Sequence, residues 1–350
     1  MNKKTIAVLF GGQSGEHEVS LMSSSNVIQA MDRQKYDVVM IGITKKGEWM
    51  IYTGPVEKIA NGDWEKEEHY LIKDFSIHHP IIQSIDVVFP VLHGPMGEDG
   101  TVQGLFELWN LPYVGCGVLA SALGMDKIYT KTIYQMAGLP QGKYYPLMRY
   151  QWREHQNQEI KKIEKELDYP IFIKPANMGS SVGITKAHHR QELVEGIHKA
   201  CKYDRKILLE ESIDCREIEC GVLGNDHPKA SVLGEILPSN EFYDYHAKYF
   251  DNGKSQLVIP APLDQETMRK IQDLAIQAFK AIDGSGLARV DFFVEKNTGK
   301  IYINEINTLP GFTNISMYPK LWEYSGIPYA KLIDRLIELA IERFEEKTSF

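Results

Sequence analysis

Residues 287–307 read LARVDFFVEKNTGKIYINEIN and have the clearest secondary-structure pattern in the chain. Two runs in which every second residue is apolar flank the segment Asn297-Thr298-Gly299. That segment suits a three-residue hairpin loop with Gly299 in the left-handed conformation. The sequence therefore predicts two antiparallel strands, with Lys296 and Lys300 as the pair that closes the loop.

Polar residues of this hairpin share one face, because side chains repeat every second residue along a strand. Counting back from the loop places Asp291 opposite Glu305 and Arg289 opposite Asn307. Two carboxylates directly across a ladder repel each other, and a cation between them removes that cost. Oxygen ligands from Asp, Glu and Asn suit a hard ion such as Mg²⁺. A solvated acidic face paired with Arg289 stays open as the alternative.

The rest of the chain reads as an α/β protein (α+β overall) of three units. Apolar runs at 5–10, 37–43 and 85–91 alternate with helical periodicity, which predicts βαβ units on a parallel sheet. Such sheets place ligands beyond the carboxyl ends of their strands. Further predicted elements are helices at 127–136, 191–200 and 330–344, and strands at 170–174, 206–209, 217–223 and 229–236.

Composition limits the classes of function. The 350 residues are 43% hydrophobic and 25% charged, with a net charge of −8, which gives no general attraction for nucleic acid or an anionic membrane. The apolar run Ile6–Phe10 is too short for a signal sequence, and no window reaches about 20 apolar residues. Reduced thiols in a cytoplasmic protein are expected, since no CxxC pair occurs among Cys116, Cys201, Cys215 and Cys220.

A second candidate site is the segment KPANMGSSVG at 174–183. A strand ends at Lys174, and the small residues that follow leave backbone N–H groups free to cradle phosphates. This is not a Walker A loop, and GGQSG at 11–15 is not a dinucleotide fingerprint, which disfavours a nicotinamide dehydrogenase. An ordinary surface loop is the alternative.

Three other stretches carry candidate residues. The apolar strand of KILLEES, at 206–212, ends in two carboxylates at a domain junction. This junction can hold adenine, with backbone groups of residues 211–213 reading its edge and Glu210 accepting from its amino group; a solvated strand end is the alternative. The aromatic stretch from about 238 to 256 is typical of a lid, and surface packing is the alternative. Carboxylates at 16–18 and 98–99 suit an ammonium group or, alternatively, helix capping.

Taken together, these segments resemble one family, the D-alanine–D-alanine ligases of the ATP-grasp superfamily. The similarity covers about residues 4–345, and the motifs occur in the family's order. They are GGQSGEHEVSL (11–21), FPVLHGPMGEDGTVQGLFE (89–107), MDK (125–127), KPANMGSSVG (174–183), FYDYHAKY (242–249), GLARVDFF (286–293) and NEINTLPGFT (304–313). The resemblance implies a three-domain ATP-grasp fold, with domains at 1–118, 119–211 and 212–350.

The resemblance also implies roles for individual residues. Those it assigns to ATP are Lys127, Lys174, Ser180, Ser181, Glu210, Glu211, Ser212, Ile213 and Glu217. Those it assigns to the two D-alanines are Glu16, His93, Lys248, Ser316 and Met317. Catalysis is implied for Glu16, Ser180, Tyr249 and Arg289, and two Mg²⁺ ions, which Mn²⁺ can replace, for Asp291, Glu305 and Asn307.

The implied activity is ATP-dependent synthesis of D-alanyl-D-alanine through D-alanyl phosphate, for peptidoglycan in the cytoplasm. Within this superfamily a lid tyrosine, here Tyr249, goes with D-alanine as the second substrate. Synthesis of D-alanyl-D-lactate or D-alanyl-D-serine is the alternative, and a nucleotide-binding regulator with a decayed site is a further one. The resemblance implies a homodimer, and it implies no nucleic acid or membrane partner.

Overall fold

The structure is a computed structural model that describes residues 3–237, 256–313 and 315–349. The lid expected at about 238–256, with Lys248 and Tyr249, therefore lies outside the described residues apart from Gln256. In the part of the chain that is described, no helix combines the length and apolar character needed to cross a membrane.

Helices and strands follow one another along the whole described chain. The strands are β1 (Lys4–Gly11), β2 (Tyr36–Ile43), β3 (Trp49–Tyr52), β4 (Leu71–Ile72), β5 (Val87–Pro90), β6 (Tyr144–Met148), β7 (Ile171–Pro175), β8 (Thr185–Ala187), β9 (Lys206–Glu211), β10 (Cys215–Gly224), β11 (Lys229–Leu237), β12 (Gln256–Val258), β13 (Gly286–Glu295) and β14 (Ile301–Asn307). The helices are α1 (His17–Ala30), α2 (Glu57–Ala60), α3 (Pro80–Gln83), α4 (Thr101–Leu108), α5 (Val118–Met125), α6 (Lys127–Met136), α7 (Arg149–Glu166), α8 (Arg190–Ala200), α9 (Gln265–Ala281), α10 (Met317–Tyr324) and α11 (Tyr329–Thr348). Short 3₁₀ turns lie at Asp63–Lys66 and Glu68–Tyr70.

The first sheet has the strand order β4-β3-β2-β1-β5. β1 pairs in parallel with both β2 and β5, which confirms the predicted parallel βαβ core. β3 and β4 extend the sheet in antiparallel pairings that the sequence analysis did not predict. Loops after β1 and β5 leave the same edge of the sheet and carry the residues around positions 16 and 93.

Two antiparallel sheets form the rest of the fold. One has the order β6-β9-β7-β8, and the other has the order β12-β11-β10-β13-β14. β10 pairs with β13 along its whole length, so that Glu219 lies opposite Asp291. The third sheet thus brings β10, β13 and β14 side by side under one surface.

The predicted hairpin pairing is right at the polar face but wrong at the loop. Asp291 pairs with Glu305 and Arg289 with Asn307, as predicted. However, the N–H of Glu295 donates to the carbonyl of Lys300, so the loop has four residues rather than three, and Lys296 does not face Lys300. A β-bulge at Asn304 inserts one extra residue and restores the predicted register beyond it. Gly299 has φ +70°, which confirms its left-handed conformation.

The second and third sheets each have a core of their own, and Leu223 and Leu287 of the third sheet also join a core of the first sheet. Apolar side chains of α7 and α8 cover the second sheet, and α9 covers the third. Ala120 of α5 and Tyr134 of α6 also belong to the core of the third sheet, although the predicted second domain begins at residue 119. The domain boundaries at 118/119 and 211/212 stay a prediction.

The last helix ties the end of the chain to the first sheet. Leu332, Leu336 and other residues of α11 share one core with β1 and β5. On the same helix, the Arg343 guanidinium donates to the carbonyls of Gly115 and Tyr113, the latter at 3.0 Å. It also donates to Ser285 Oγ at 2.7 Å and lies 4.3 Å from the ring centroid of Tyr113. One cation therefore joins α11 to the connection between the first and third sheets.

Replacing Arg343 by Met should lower the free energy of unfolding by roughly 2–4 kcal/mol, because hydrogen bonds to a charged group are lost and carbonyls stay unpaired. Arg335→Met on the same helix is the matched control, since its partners Glu338 and Glu342 are exposed. It should cost less than about 1 kcal/mol. Equal losses in urea unfolding of the two variants would contradict this account of Arg343.

Candidate functional site

Two adjoining cavities form a groove where the three sheets meet. The larger has a volume of about 730 Å³, and the smaller about 150 Å³. Both are lined by Ser181, Glu219 and Glu305. The larger cavity is lined by Lys174, Glu210, Glu211, Ser212, Ile213, Glu217 and Asp291, and the smaller by Glu16, His93, Lys127, Ser180, Arg289, Asn307, Ser316 and Met317. Every predicted site residue within the described chain thus lines one groove.

Carboxylates from three neighbouring strands form a row on the floor of this groove. Glu219, Asp291 and Glu305 lie opposite one another across β10, β13 and β14. Arg289 binds two of them: its Nε and Nη2 donate to the Asp291 oxygens at 2.7 Å each, and Nε lies 2.9 Å from Glu219 Oε2. Burial would lower the pKa of Arg289, but the two carboxylates hold it well above its usual range. The guanidinium therefore stays charged.

The third carboxylate of the row meets a different cation. Glu305 Oε2 lies 3.6 Å from the Nζ of Lys127, the first residue of α6. Asn307 Nδ2 donates to Asp291 Oδ2 at 3.0 Å, so its amide oxygen is turned away from that bond. Each carboxylate of the Asp291–Glu305 pair thus faces positive charge, as two opposed acids require.

The donors at this position fit a divalent cation such as Mg²⁺. Asp291, Glu305 and Asn307 offer oxygen atoms from one face of one hairpin, and Mg²⁺ prefers oxygen ligands and completes its shell with water and phosphate oxygens. In the part of the chain that the structure describes, no group of three His, Cys, Asp or Glu side chains is arranged for metal binding by itself. An ion here would therefore depend on oxygens from a ligand as well.

A second charged cluster lines the larger cavity. Glu210 Oε1 lies 2.7 Å from the Nζ of Lys131, and its Oε2 lies 2.7 Å from the Nζ of Lys174. Burial would raise the pKa of Glu210, but the two ammonium groups lower it to about 2. The pKa of Lys174 is raised, because the charge of Glu210 outweighs the burial of the lysine. This cluster of two lysines and one carboxylate carries one excess positive charge.

The Gly/Ser loop after β7 closes over Glu16. Ser180 Oγ donates to Glu16 Oε1, and Ser180 and Ser181 have φ of +50° and +60°, which L-residues seldom adopt. A Cβ built on Gly179 would lie 2.7 Å from Glu16 Oε2, and one on Gly94 would lie 2.8 Å from the same atom. A side chain at either glycine would displace the Glu16 carboxylate from this position.

His93 and Glu98 complete this end of the groove. His93 is buried, with Nδ1 3.3 Å from the carbonyl of Leu309, and burial lowers its pKa although the charge of Glu16 opposes the shift. Glu98 Oε1 accepts the N–H of Gly94 at 2.7 Å. Burial and the nearby charge of Glu16 raise the pKa of Glu98 to about 8. Both groups are therefore uncharged near neutral pH.

In the 98–99 segment, Asp99 lies at the start of a helix, as the helix-capping alternative predicts, and Glu98 does not. Asp99 Oδ1 accepts the N–H of Thr101 at 3.0 Å, at the start of α4, whereas Glu98 faces the groove. At the opposite wall, Ser316 precedes α10, and its Oγ lies 2.7 Å from Thr313 Oγ1. Met317 begins that helix and is buried.

Sequence reasoning missed three polar residues of the site. Lys131 lies one helical turn after Lys127, and this four-residue spacing was a signal that both lysines share a face of α6. Glu219 lies two residues after Glu217 on β10, a spacing that puts both on one face. Asn304 faces the site only because of the bulge, and its Oδ1 lies 3.5 Å from Lys174 Nζ. No local sequence pattern predicted this position.

Comparisons with known proteins agree on one family. A sequence model described as the D-ala D-ala ligase N-terminus matches residues 5–116, and one described as the C-terminus matches residues 133–338. A protein of Thermoanaerobacter sp. (strain X514) named D-alanine–D-alanine ligase is 57% identical, over 99% of each chain. A protein of the same name from Ruminiclostridium cellulolyticum is 56% identical over 99% of this chain and 97% of its own.

Solved structures with a similar fold include two ligases. The D-Ala:D-Ser ligase VanG from Enterococcus faecalis gives a TM-score of 0.88 at 40% identity, covering 97% of this chain and all of its own. The D-alanine–D-alanine ligase from Coxiella burnetii gives a TM-score of 0.87 at 39% identity, covering all of this chain and 97% of its own. Similarity of both sequence and fold therefore spans the whole length.

The raised pKa of Glu98 predicts a pH-dependent loss of stability. A carboxyl whose pKa is raised in the folded protein stabilises the fold below its ordinary pKa of 4.5, and this contribution is lost as pH rises to about 8. Glu98→Gln mimics the protonated acid at every pH. Its melting temperature relative to the unmodified protein should therefore rise between pH 5 and pH 8. A constant difference across that range, measured by calorimetry, would show that Glu98 titrates normally.

Proposed function

We propose that this chain, which belongs to the D-alanine–D-alanine ligase family, carries out its ligation in the groove between the three sheets. The family's reaction is the ATP-dependent, ADP-forming ligation of two D-alanines for peptidoglycan synthesis. The observation that carries the assignment to this groove is its charge pattern: lysines line one wall, and opposed carboxylates line the floor. A nucleoside triphosphate with divalent cations matches that pattern.

ATP occupies the larger cavity in this proposal, and its phosphates reach the junction with the smaller cavity, where Lys127 and Ser180 lie. Lys127 and Lys174 contact its phosphates, together with the N–H groups of Ser180 and Ser181. Glu210 accepts from the adenine amino group, the backbone of residues 211–213 reads the edge of the base, and Glu217 binds the ribose. The position of Lys174 at the end of β7, where the Gly/Ser loop begins, supports the phosphate assignment.

Asp291, Glu305 and Asn307 hold two Mg²⁺ ions in this proposal, and Mn²⁺ can take their place. When bound, such ions neutralise the charge that develops on a transferring phosphoryl group. The protein prepares the site by keeping Arg289 and Lys127 beside the two carboxylates. Those cations offset the repulsion between the acids until a ligand arrives.

The first D-alanine binds in the smaller cavity. Glu16 accepts hydrogen bonds from the ammonium group of this D-alanine, and the buried, neutral His93 lies beside the substrate. The carboxylate of the first D-alanine then attacks the γ-phosphate of ATP, which gives D-alanyl phosphate and ADP. Ser180, already bonded to Glu16, links this residue to Tyr249 of the lid, and the closed lid keeps water from the acyl phosphate.

The second D-alanine completes the reaction. Ser316, the N–H of Met317 and Lys248 hold its carboxylate, while its free amine attacks the acyl carbon and displaces phosphate. Arg289 stabilises the negative charge on the carbonyl oxygen in this step. The guanidinium suits that task, because Glu219 and Asp291 hold it in one place.

The nucleophile distinguishes this function from its alternatives. Incubating the protein with ATP, Mg²⁺ and equal amounts of D-alanine, D-serine and D-lactate should give mainly D-alanyl-D-alanine, measured by mass spectrometry. Preference for D-alanine over D-lactate should increase from pH 6 to pH 9, as the amine loses its proton. A dominant D-serine or D-lactate product would overturn the assignment of the second substrate.

Removing one metal-binding carboxylate should stop the reaction without unfolding the protein. Glu305→Gln should lower kcat by roughly a hundredfold or more, since an electrostatic contact to the transition state is lost. Glu295→Gln is the matched control, because this carboxylate lies at the end of the neighbouring strand and bonds Thr298 outside the groove. Near-normal turnover of Glu305→Gln in an ADP-release assay would reject the metal assignment.

We also propose that the protein acts in the cytoplasm as a homodimer. Its relationship to the D-alanine–D-alanine ligase family supports both statements. The reaction uses ATP and supplies a cell-wall precursor, which further supports the cytoplasm.

A further inference from the structure

Lys131 is buried in a place where an ammonium group is costly. Lys131 is only 3% exposed, and its Nζ lies 2.7 Å from Glu210 Oε1 and 5.5 Å from the ring centroid of Tyr144. A buried charge needs partners of this kind to persist. None of the roles assigned above to the nucleotide, the ions or the two D-alanines falls on Lys131.

Its partner Glu210 is shared between two lysines. Oε1 binds Lys131, and Oε2 binds Lys174, in both cases at 2.7 Å. The two lysines come from different elements, α6 and β7, and meet on a strand, β9, that belongs to the second sheet. Lys174 Nζ also lies 3.5 Å from Asn304 Oδ1 on the third sheet. Lys174 thus lies between Glu210 of the second sheet and Asn304 of the third.

The two lysines have different freedom to leave that carboxylate. Both lysines line the larger cavity, but the Lys131 side chain extends from a helix and is only 4% exposed, whereas the Lys174 side chain is 12% exposed and precedes the Gly/Ser loop. If Glu210 had Lys174 alone, the departure of Lys174 would leave a buried carboxylate unpaired, which is strongly unfavourable. With Lys131 fixed on Oε1, Glu210 keeps a partner when Lys174 moves.

We propose that Lys131 is a positioning residue that neutralises Glu210, so that Lys174 can transfer from this carboxylate to the phosphates of the bound nucleotide. The inference rests on the proposed function, because it takes the larger cavity as the ATP site. It predicts that Lys131 affects phosphate binding without touching the nucleotide. Loss of Lys131 would leave Lys174 bound to Glu210.

Nucleotide binding by calorimetry tests this inference. Lys131→Met should weaken ADP roughly tenfold or more, the size of one charge-assisted hydrogen bond. Adenosine, which has no phosphate, should bind within about threefold of its normal affinity, and Lys131→Arg should restore most of the ADP affinity. Lys199→Met, an exposed lysine on α8, is the control and should bind both ligands normally.

A double-mutant cycle separates action through Glu210 from direct contact. In a Glu210→Gln background, Lys131→Met should cause no further loss of ADP affinity. An equal loss in both backgrounds, or a matching loss for adenosine, would overturn the inference. If Lys131→Met does not fold, Lys131→Gln takes its place in both the binding assay and the cycle, and equal weakening of ADP and adenosine binding by that variant contradicts the inference. Failure of the unmodified protein to bind ADP would instead refute the proposed function.

Discussion

Opposite charges buried along one groove are the constraint on which this structure depends. Lys131, Glu210 and Lys174 carry two positive charges and one negative, whereas Glu219, Arg289 and Asp291 carry two negative charges and one positive. Burying an excess charge is unfavourable unless something neutralises it. A ligand that brings phosphates and divalent cations together satisfies both clusters at once. Glu305 and Lys127, 3.6 Å apart, lie between them.

Backbone geometry supplies the precision that these charges need. The pairing of β10, β13 and β14 aligns three carboxylates on one face, while Ile218, Val290 and Ile306 on the other face are buried in the core. At the far end of the groove, glycines at 94 and 179 let two loops approach Glu16. A rigid floor of strands and a close-fitting loop therefore position groups that belong to three different sheets.

Sequence reasoning reached the shared polar face of the hairpin and the parallel core of the first sheet. It placed the hairpin loop one residue wrong, and the bulge at Asn304 compensated for this error. Helix α7 was missed, because only four of its 18 residues are buried and one of these is Glu159. Helix α9 was also not predicted, although the apolar residues Ile271, Ala275 and Phe279 recur every four residues, as in an amphipathic helix. Contacts between sheets, such as Lys131 with Glu210, require the tertiary structure.

The proposed reaction requires a metal ion and a nucleotide to meet above Asp291 and Glu305. A crystal structure with ADP and Mn²⁺, recorded at the manganese absorption edge, tests this directly. We expect anomalous peaks within coordination distance of both carboxylates and of the ADP phosphates. Manganese bound away from this hairpin, or ADP bound outside the groove, would contradict the account.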